Sequence, residues 1–263
     1  MELAAAAGCS AVALTDHDTL VGLTLAAERA GDLGIRLVPG CEVSCAWRGK
    51  SAHVLVYFVA SGPGPFQEEL GRLREDRVAR NHRLAARLHE LGVPISYEEI
   101  VAEAAGEESA GRPHVAALLV RKGLADTIPD AFDRWLGEGR PAYVPKARVA
   151  PGEIARLAAA SGGVAALAHP LTLGLAPDEL ADAVGELADS GFAGLEAYYG
   201  RYDAAQRAEL VALARRHGLV PTGGSDYHGT VKEGLHVGTG EGDLRVPDDV
   251  LDELDARRAA PAG

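Results

Sequence analysis

Six short apolar runs, alternating in part with amphipathic stretches, constrain this chain more than any other feature. The runs are 11–14 (AVAL), 35–39 (IRLVP), 53–59 (HVLVYFV), 163–168 (GVAALA), 193–197 (AGLEA) and 219–222 (LVPT). They are too short for ordinary helices and read as buried strands. Segments 19–33, 152–161, 177–190 and 203–217 carry helical patterning between several of them. Strand–helix alternation of this kind predicts an α/β protein with a largely parallel sheet. A length of 263 residues at 47% hydrophobic content suffices for one substantial core and a small extra lobe.

Residues 65–144 break the alternation and read as helices only. In FQEELGRLREDRVARNHRLAARLHEL, Leu70, Leu73, Leu84, Leu88 and Leu91 share one helical face. Arg77 and Asn81 fall in the middle of that face, where a polar pair either points at a ligand or is solvated. The segment reads as an all-helical insertion, a lid over the barrel mouth. The division expected is a discontinuous barrel of 1–64 and 145–258, an insertion lobe of 65–144 and a disordered tail of 259–263.

A formal charge of −12 argues against holding long duplex nucleic acid by general phosphate attraction. It leaves room for a small anionic substrate in a metal-filled pocket. No run of 18 apolar residues suggests a membrane span, and MELAAAAGCS is not a secretory leader. Cys9, Cys41 and Cys45 form no CxxC pair and read as small buried residues in a reducing cytoplasm, with thiolate metal binding by Cys41 and Cys45 the alternative.

Polar residues gather where the runs end. Run 11–14 leads into Asp16 and His17, and 35–39 into Glu42. Run 163–168 leads into His169, 193–197 contains Glu196, and 219–222 passes through Gly223-Gly224 to Asp226 and His228. In an α/β barrel such ends converge on one face. Each histidine alone is more simply structural, but convergence from several strands points to a divalent-metal site. Imidazole and carboxylate donors suit Mn, Fe or Zn, and clustered ions support displacement at phosphorus. His53 opens its run instead of closing it, so spacing alone does not place it.

Seven motifs together, LTDHDT, GCEVS followed by HVLVYF, GRPHVAALLVRKG, GRPAYVP, GGVAALAHP, GLEAYY and GGSDYHG, resemble the PHP (polymerase and histidinol phosphatase) metallophosphoesterases. The resemblance spans nearly the whole chain. It is greatest to stand-alone bacterial enzymes acting on nucleoside 3′,5′-bisphosphates and short oligonucleotides. It implies a distorted (β/α)7-type barrel and as many as three divalent ions. It also implies His17, Glu42, His53, His169, Asp226 and His228 as ligands, Glu42 bridging two ions and Asp16 orienting its neighbours. Among these, Asp16, His17, Glu42 and His228 are the expected catalytic residues.

The chain also departs from the pattern. The family's first strand, with His-x-His and a Ser-Asp-Gly turn, has no counterpart here. The expectation is therefore an N-terminally truncated barrel with an unpaired edge beside the site and fewer bound ions. Intact remaining motifs favour a start farther upstream over a damaged copy. On the substrate side, Arg112 and His114 open a helix where a guanidinium and free N–H groups can take phosphate; an exposed turn with Pro113 is the plainer reading. Lys146 and Arg148 are weaker phosphate candidates. Gly223 and Gly224 are expected to allow a tight turn. Tyr198 and Tyr199 are expected to pack. The leading expectation is a cytoplasmic, metal-dependent phosphoesterase that uses metal-activated water on a small nucleotide or short oligonucleotide. A histidinol-phosphatase-like phosphomonoesterase, an impaired nucleotide-binding module and a polymerase-associated domain are the rivals.

Overall fold

The computed structural model of the protein describes residues 1–60, 62–104, 106, 110–145, 149–229 and 232–258. They divide into two units, one formed by 1–68 with 148–263 and the other by 69–147.

The first unit is built on a six-stranded sheet: β1 (Ala11–Leu14), β2 (Arg36–Trp47), β3 (Lys50–Tyr57), β4 (Val164–Leu167), β5 (Gly194–Tyr199) and β6 (Val220–Gly224), in spatial order β1 to β6. Three of the pairings are parallel, β1 with β2, β4 with β5 and β5 with β6. The expectation of a largely parallel sheet needs correcting at β3, which runs antiparallel to both β2 and β4. The cause is local. Arg48 and Gly49, with φ of 48° and 80°, make a two-residue turn between Trp47 and Lys50. Paired positive φ values match the right-handed twist of a hairpin. A second correction concerns β2, which does not stop near Pro39 but continues through Glu42 to Trp47.

Helices α1 (Glu2–Ala6) and α2 (Leu23–Leu33) flank β1 in sequence, and α7 (Pro151–Ala160), α8 (Pro177–Asp189) and α9 (Ala204–Arg216) precede β4, β5 and β6. Their starts follow local chemistry. Pro151 and Pro177 occupy first-turn positions, where no amide partner is lost. Asp203 and Gln206 satisfy each other's backbone amides in a capping box. Val38, Leu55, Tyr57, Val164, Ala166 and Val220 form one apolar cluster with Val250 and Leu254 of the C-terminal helix (Asp249–Asp255). Among the described residues β1 pairs only with β2 and β6 only with β5, and a cavity of about 1190 Å³ is lined by both edges.

The second unit contains most of α3 (Pro65–Glu90), then α4 (Tyr97–Glu103), α5 (Arg112–Arg121), α6 (Ile128–Ala131) and a π-helical turn at Phe132–Leu136. Leu84, Leu88, Ile100, Leu118, Leu119 and Leu136 are almost wholly buried in its own core. No helix among the described residues is long and apolar enough to cross a membrane.

Candidate metal centre

Strand direction decides which side chains meet. Just beyond β1, His17 pairs with Glu42 in an isolated parallel bridge, so the two side chains share a face. Glu42 lies within β2 and is 4% exposed. His53 stands opposite Ser44 near the start of β3. Because β3 runs backwards, its beginning lies on the rim where the parallel strands finish, which is the placement spacing alone could not supply. The Ala168 amide donates to the His53 carbonyl at 3.0 Å, which brings His169 alongside. Asp226 and His228 follow β6.

The resulting cluster is tight. His53 Nδ1 lies 2.7 Å and His169 Nε2 3.1 Å from Glu42 Oε1, while His17 Nε2 is 3.5 Å from Oε2. His53 Nδ1 and His169 Nε2 are 3.2 Å apart, and His17 Nε2 and His228 Nε2 are 3.3 Å apart. Two sets of donors fall within one ion's reach: His17, Glu42 and His53, and Glu42, Asp226 and His228.

Hydrogen bonds at the far side of two rings indicate that the donor set suits a cation. The Thr172 hydroxyl donates to the His169 carbonyl at 2.8 Å, so its oxygen is left to accept from His169 Nδ1–H at 2.9 Å. That places a proton on Nδ1 and aims Nε2 at Glu42, where it donates to the carboxylate in the metal-free site and would offer its lone pair to a cation once that proton is released. His228 Nδ1 faces the Asp226 carbonyl at 2.9 Å and Oδ1 at 3.1 Å, which likewise leaves Nε2 to face His17. Outer partners that fix the tautomer in this way are a regular feature of metal-binding histidines.

Charge follows the same pattern. Burial opposes ionisation of Glu42, yet hydrogen bonds from His169 and His53 hold its carboxyl far below the usual range. Asp226 is half-buried, which raises its carboxyl, but His228 and Lys232 bring it down to about 2. Glu196 goes the other way: burial, reinforced by Glu42 and Asp226, pushes it up to about 8. It accepts the His169 amide at 2.6 Å and so anchors the main chain where His169 adopts φ 27°.

Several residues take unforeseen positions. Asp16 is exposed, and its main-chain carbonyl, at 3.2 Å, accepts from the Glu42 amide. Tyr199 does more than pack, because its hydroxyl donates to Asp226 Oδ2 at 2.8 Å. A bulge between Glu196 and Tyr198 puts it there. Glu196 pairs with Thr222 and Tyr199 with Gly224, so both face the same side. Lys232 also reaches Asp226 Oδ2, and no spacing in the sequence announced it. Cys41 and Cys45 are buried and lie outside both donor sets.

Gly223 needs a corrected explanation. Neither it nor Gly224 has a positive φ, whereas Asp226 turns through φ 51°. A side chain at 223 would meet Tyr198, so close strand approach, not a tight turn, accounts for glycine there.

Four of the remaining phosphate candidates, Arg77, Asn81, Arg112 and His114, belong to the helical unit. Asn81 is buried, donates to the Ala110 carbonyl at 3.0 Å and accepts from Arg80 at 3.0 Å, so it is not solvated. Arg77 is half-buried in α3. Arg112 lies over the Tyr143 ring at 5.8 Å, and His114 Nδ1 is buried without a hydrogen-bond partner among the described residues. Lys146, Arg148 and the tail 259–263 lie outside the described residues.

No family model matches the sequence. The chain is 28% identical over 262 residues to a 3′,5′-nucleoside bisphosphate phosphatase of Chromobacterium violaceum, covering 100% of this chain and 92% of that one. A solved structure from Bifidobacterium adolescentis, assigned as a metal-dependent phosphoesterase, superposes with a TM-score of 0.80 at 30% identity, covering 98% of this chain and 90% of that one. The 5′-3′ exoribonuclease Rnm of Salmonella typhimurium is 32% identical over 220 residues, 82% of this chain and 74% of its own length. With this likeness in sequence and fold, and with histidines and carboxylates gathered as ion-binding chemistry requires, the chain belongs to the family of metal-dependent phosphoesterases.

Proposed function

We propose that this phosphoesterase is a PHP-type barrel enzyme that removes phosphate from a nucleoside 3′,5′-bisphosphate or hydrolyses the end of a short oligonucleotide. The observation that carries the reading is the meeting around Glu42 of β2 of four imidazoles and the Asp226 carboxylate, carried in β3 or just beyond β1, β4 and β6. The bisphosphate phosphatase and exoribonuclease among its relatives support the substrate class.

His17, Glu42, His53, His169, Asp226 and His228 are the proposed ligands, for Mn, Fe or Zn. Such ions lower the pKa of water and offset charge on a phosphoryl group. The protein's part is orientation. Glu42 directs Oε1 toward His53 and His169 and Oε2 toward His17, the arrangement a bridging carboxylate needs. Tyr199 and Lys232 fix Asp226, and Asp226 keeps the His228 proton on Nδ1. Asp16 acts through its carbonyl, holding the Glu42 amide. The absence of a disulfide among the described residues accords with a reducing cytoplasm. The charge of −12 accords with small substrates in preference to long duplexes.

The test is release of inorganic phosphate from adenosine 3′,5′-bisphosphate and of mononucleotides from a short 5′-phosphorylated oligonucleotide. Release should disappear in EDTA and return with Mn²⁺. A Mn²⁺-loaded protein that releases nothing from either substrate refutes the assignment.

A further inference from the structure

Asp18 is 4% exposed, follows a proposed ligand and belongs to neither donor set. Regular pairing of β1 with β2 ends at Leu14 opposite Pro39, yet the two segments stay together for several more residues. The Glu42 amide donates to the Asp16 carbonyl at 3.2 Å, and the Asp18 amide donates to the Glu42 carbonyl at 3.0 Å. These two bonds make the bridge that sets His17 beside Glu42.

In a parallel ladder the next bond would run from the Ser44 amide to the Asp18 carbonyl. Asp18 instead adopts φ 55° and leaves the sheet. Its carboxylate replaces the missing carbonyl. Oδ1 accepts the Ser44 amide at 2.7 Å, and Oδ2 accepts the Ser44 hydroxyl at 3.1 Å. The chain after β1 is thereby clamped to β2 on both sides of His17.

We propose that Asp18, working through Ser44, is a positioning residue that holds His17 on the face of Glu42 and so sets the affinity of the metal centre. The inference rests on the reading of His17 and Glu42 as ligands. Residue chemistry explains why aspartate suits the place. Glycine would tolerate the positive φ but supplies no acceptor. Asparagine tolerates it too, can accept the Ser44 amide on Oδ1, and can donate its NH₂ to the Ser44 oxygen.

The experiment is calorimetric titration of metal-free protein with Mn²⁺, paired with thermal unfolding in EDTA. Asp18→Gly should lower affinity by about 10–100-fold, the range for loss of an outer-shell partner. Asp18→Asn should restore binding to within a few-fold of the parent. A purely structural role would lower the metal-free melting temperature of Asp18→Gly and leave its Mn²⁺ affinity at the parent value, and that result overturns the proposal. Should Asp18→Gly not fold, Ser44→Ala keeps the backbone and loses one contact. It should weaken Mn²⁺ binding several-fold, and unchanged affinity there overturns the proposal as well. A parent protein that binds no Mn²⁺ refutes the ligand reading itself, an outcome distinct from normal binding by the variants.

Discussion

Replacing either of two adjacent glycines by alanine should give opposite results. At Gly223 an added Cβ would lie 2.4 Å from Tyr198 Cβ, 2.5 Å from the Tyr198 carbonyl oxygen and 2.9 Å from Val246 Cγ2. Comfortable carbon–carbon contact begins near about 3.5 Å, so β5 and β6 must part by roughly an ångström. Little can yield, because two of the three obstructing atoms are main chain or Cβ and the neighbouring Leu195, Ala197 and Val220 are fully buried. Overpacking of this kind costs about 1–3 kcal/mol, and the rigidity of these atoms puts Gly223→Ala toward the upper end. At Gly224 the nearest atom is Glu196 Oε1 at 3.5 Å, an ordinary contact. Neither residue has a positive φ, so Gly224→Ala keeps the gain of about 0.4–1 kcal/mol from a less flexible unfolded chain. For a domain of this size each kcal/mol moves the melting temperature by about 2–4 °C. Scanning calorimetry in EDTA should therefore show Gly223→Ala melting roughly 5–10 °C below the parent, with Gly224→Ala level or slightly above it. A Gly223→Ala melt within about 2 °C of the parent, or a larger loss at Gly224, would refute the packing argument.

Other expectations can be checked directly. His53→Ala removes the nitrogen 2.7 Å from Glu42 and should weaken Mn²⁺ binding by more than about tenfold, measured by titration; parent-like affinity rules His53 out as a ligand. Leu118→Ala, at a fully buried site in the helical unit, should cost about 2–5 kcal/mol in urea denaturation, and a change under about 1 kcal/mol would contradict the packing described. Of the three thiols, only Cys9 is partly exposed, and burial pushes the Cys41 thiol well above its ordinary range. Iodoacetamide should add one label to the native protein and three in urea, as counted by mass spectrometry; rapid native labelling of Cys41 or Cys45 would be the contrary result.

The strand runs were legible because each is a dense apolar cluster bounded by turn-forming or polar residues, and the starts of α7, α8 and α9 carry Pro151, Pro177 and Asp203 as local signals. The second half of β2 was not, since GCEVSCAW interrupts its apolar character with Gly40, Glu42 and Ser44 on the inward face. Nor does sequence carry an arrow for strand direction, so spacing alone leaves His53 at the wrong end of its run, and the antiparallel course of β3 is what brings it to the site. Tyr199 faces the site through a bulge that shifts the two-residue period by one, which no alternation rule foresees. Asp18 and Lys232 owe their places to tertiary contacts with Ser44 and Asp226.

The Arg48–Gly49 turn has a reach that its position conceals. It sets Trp47 against Lys50, and that pairing runs without a break to Ser44 against His53. Side chains on a strand alternate between faces, so a slip of β3 by one residue against β2 would rotate His53 to the outer surface while its covalent neighbours stayed the same. A change of turn length that shifts the pairing by one is therefore equivalent, for the chemistry, to deleting an imidazole from the interior. Natural or engineered chains of this kind should accept changes of residue at position 48 far more readily than a change in the number of residues there.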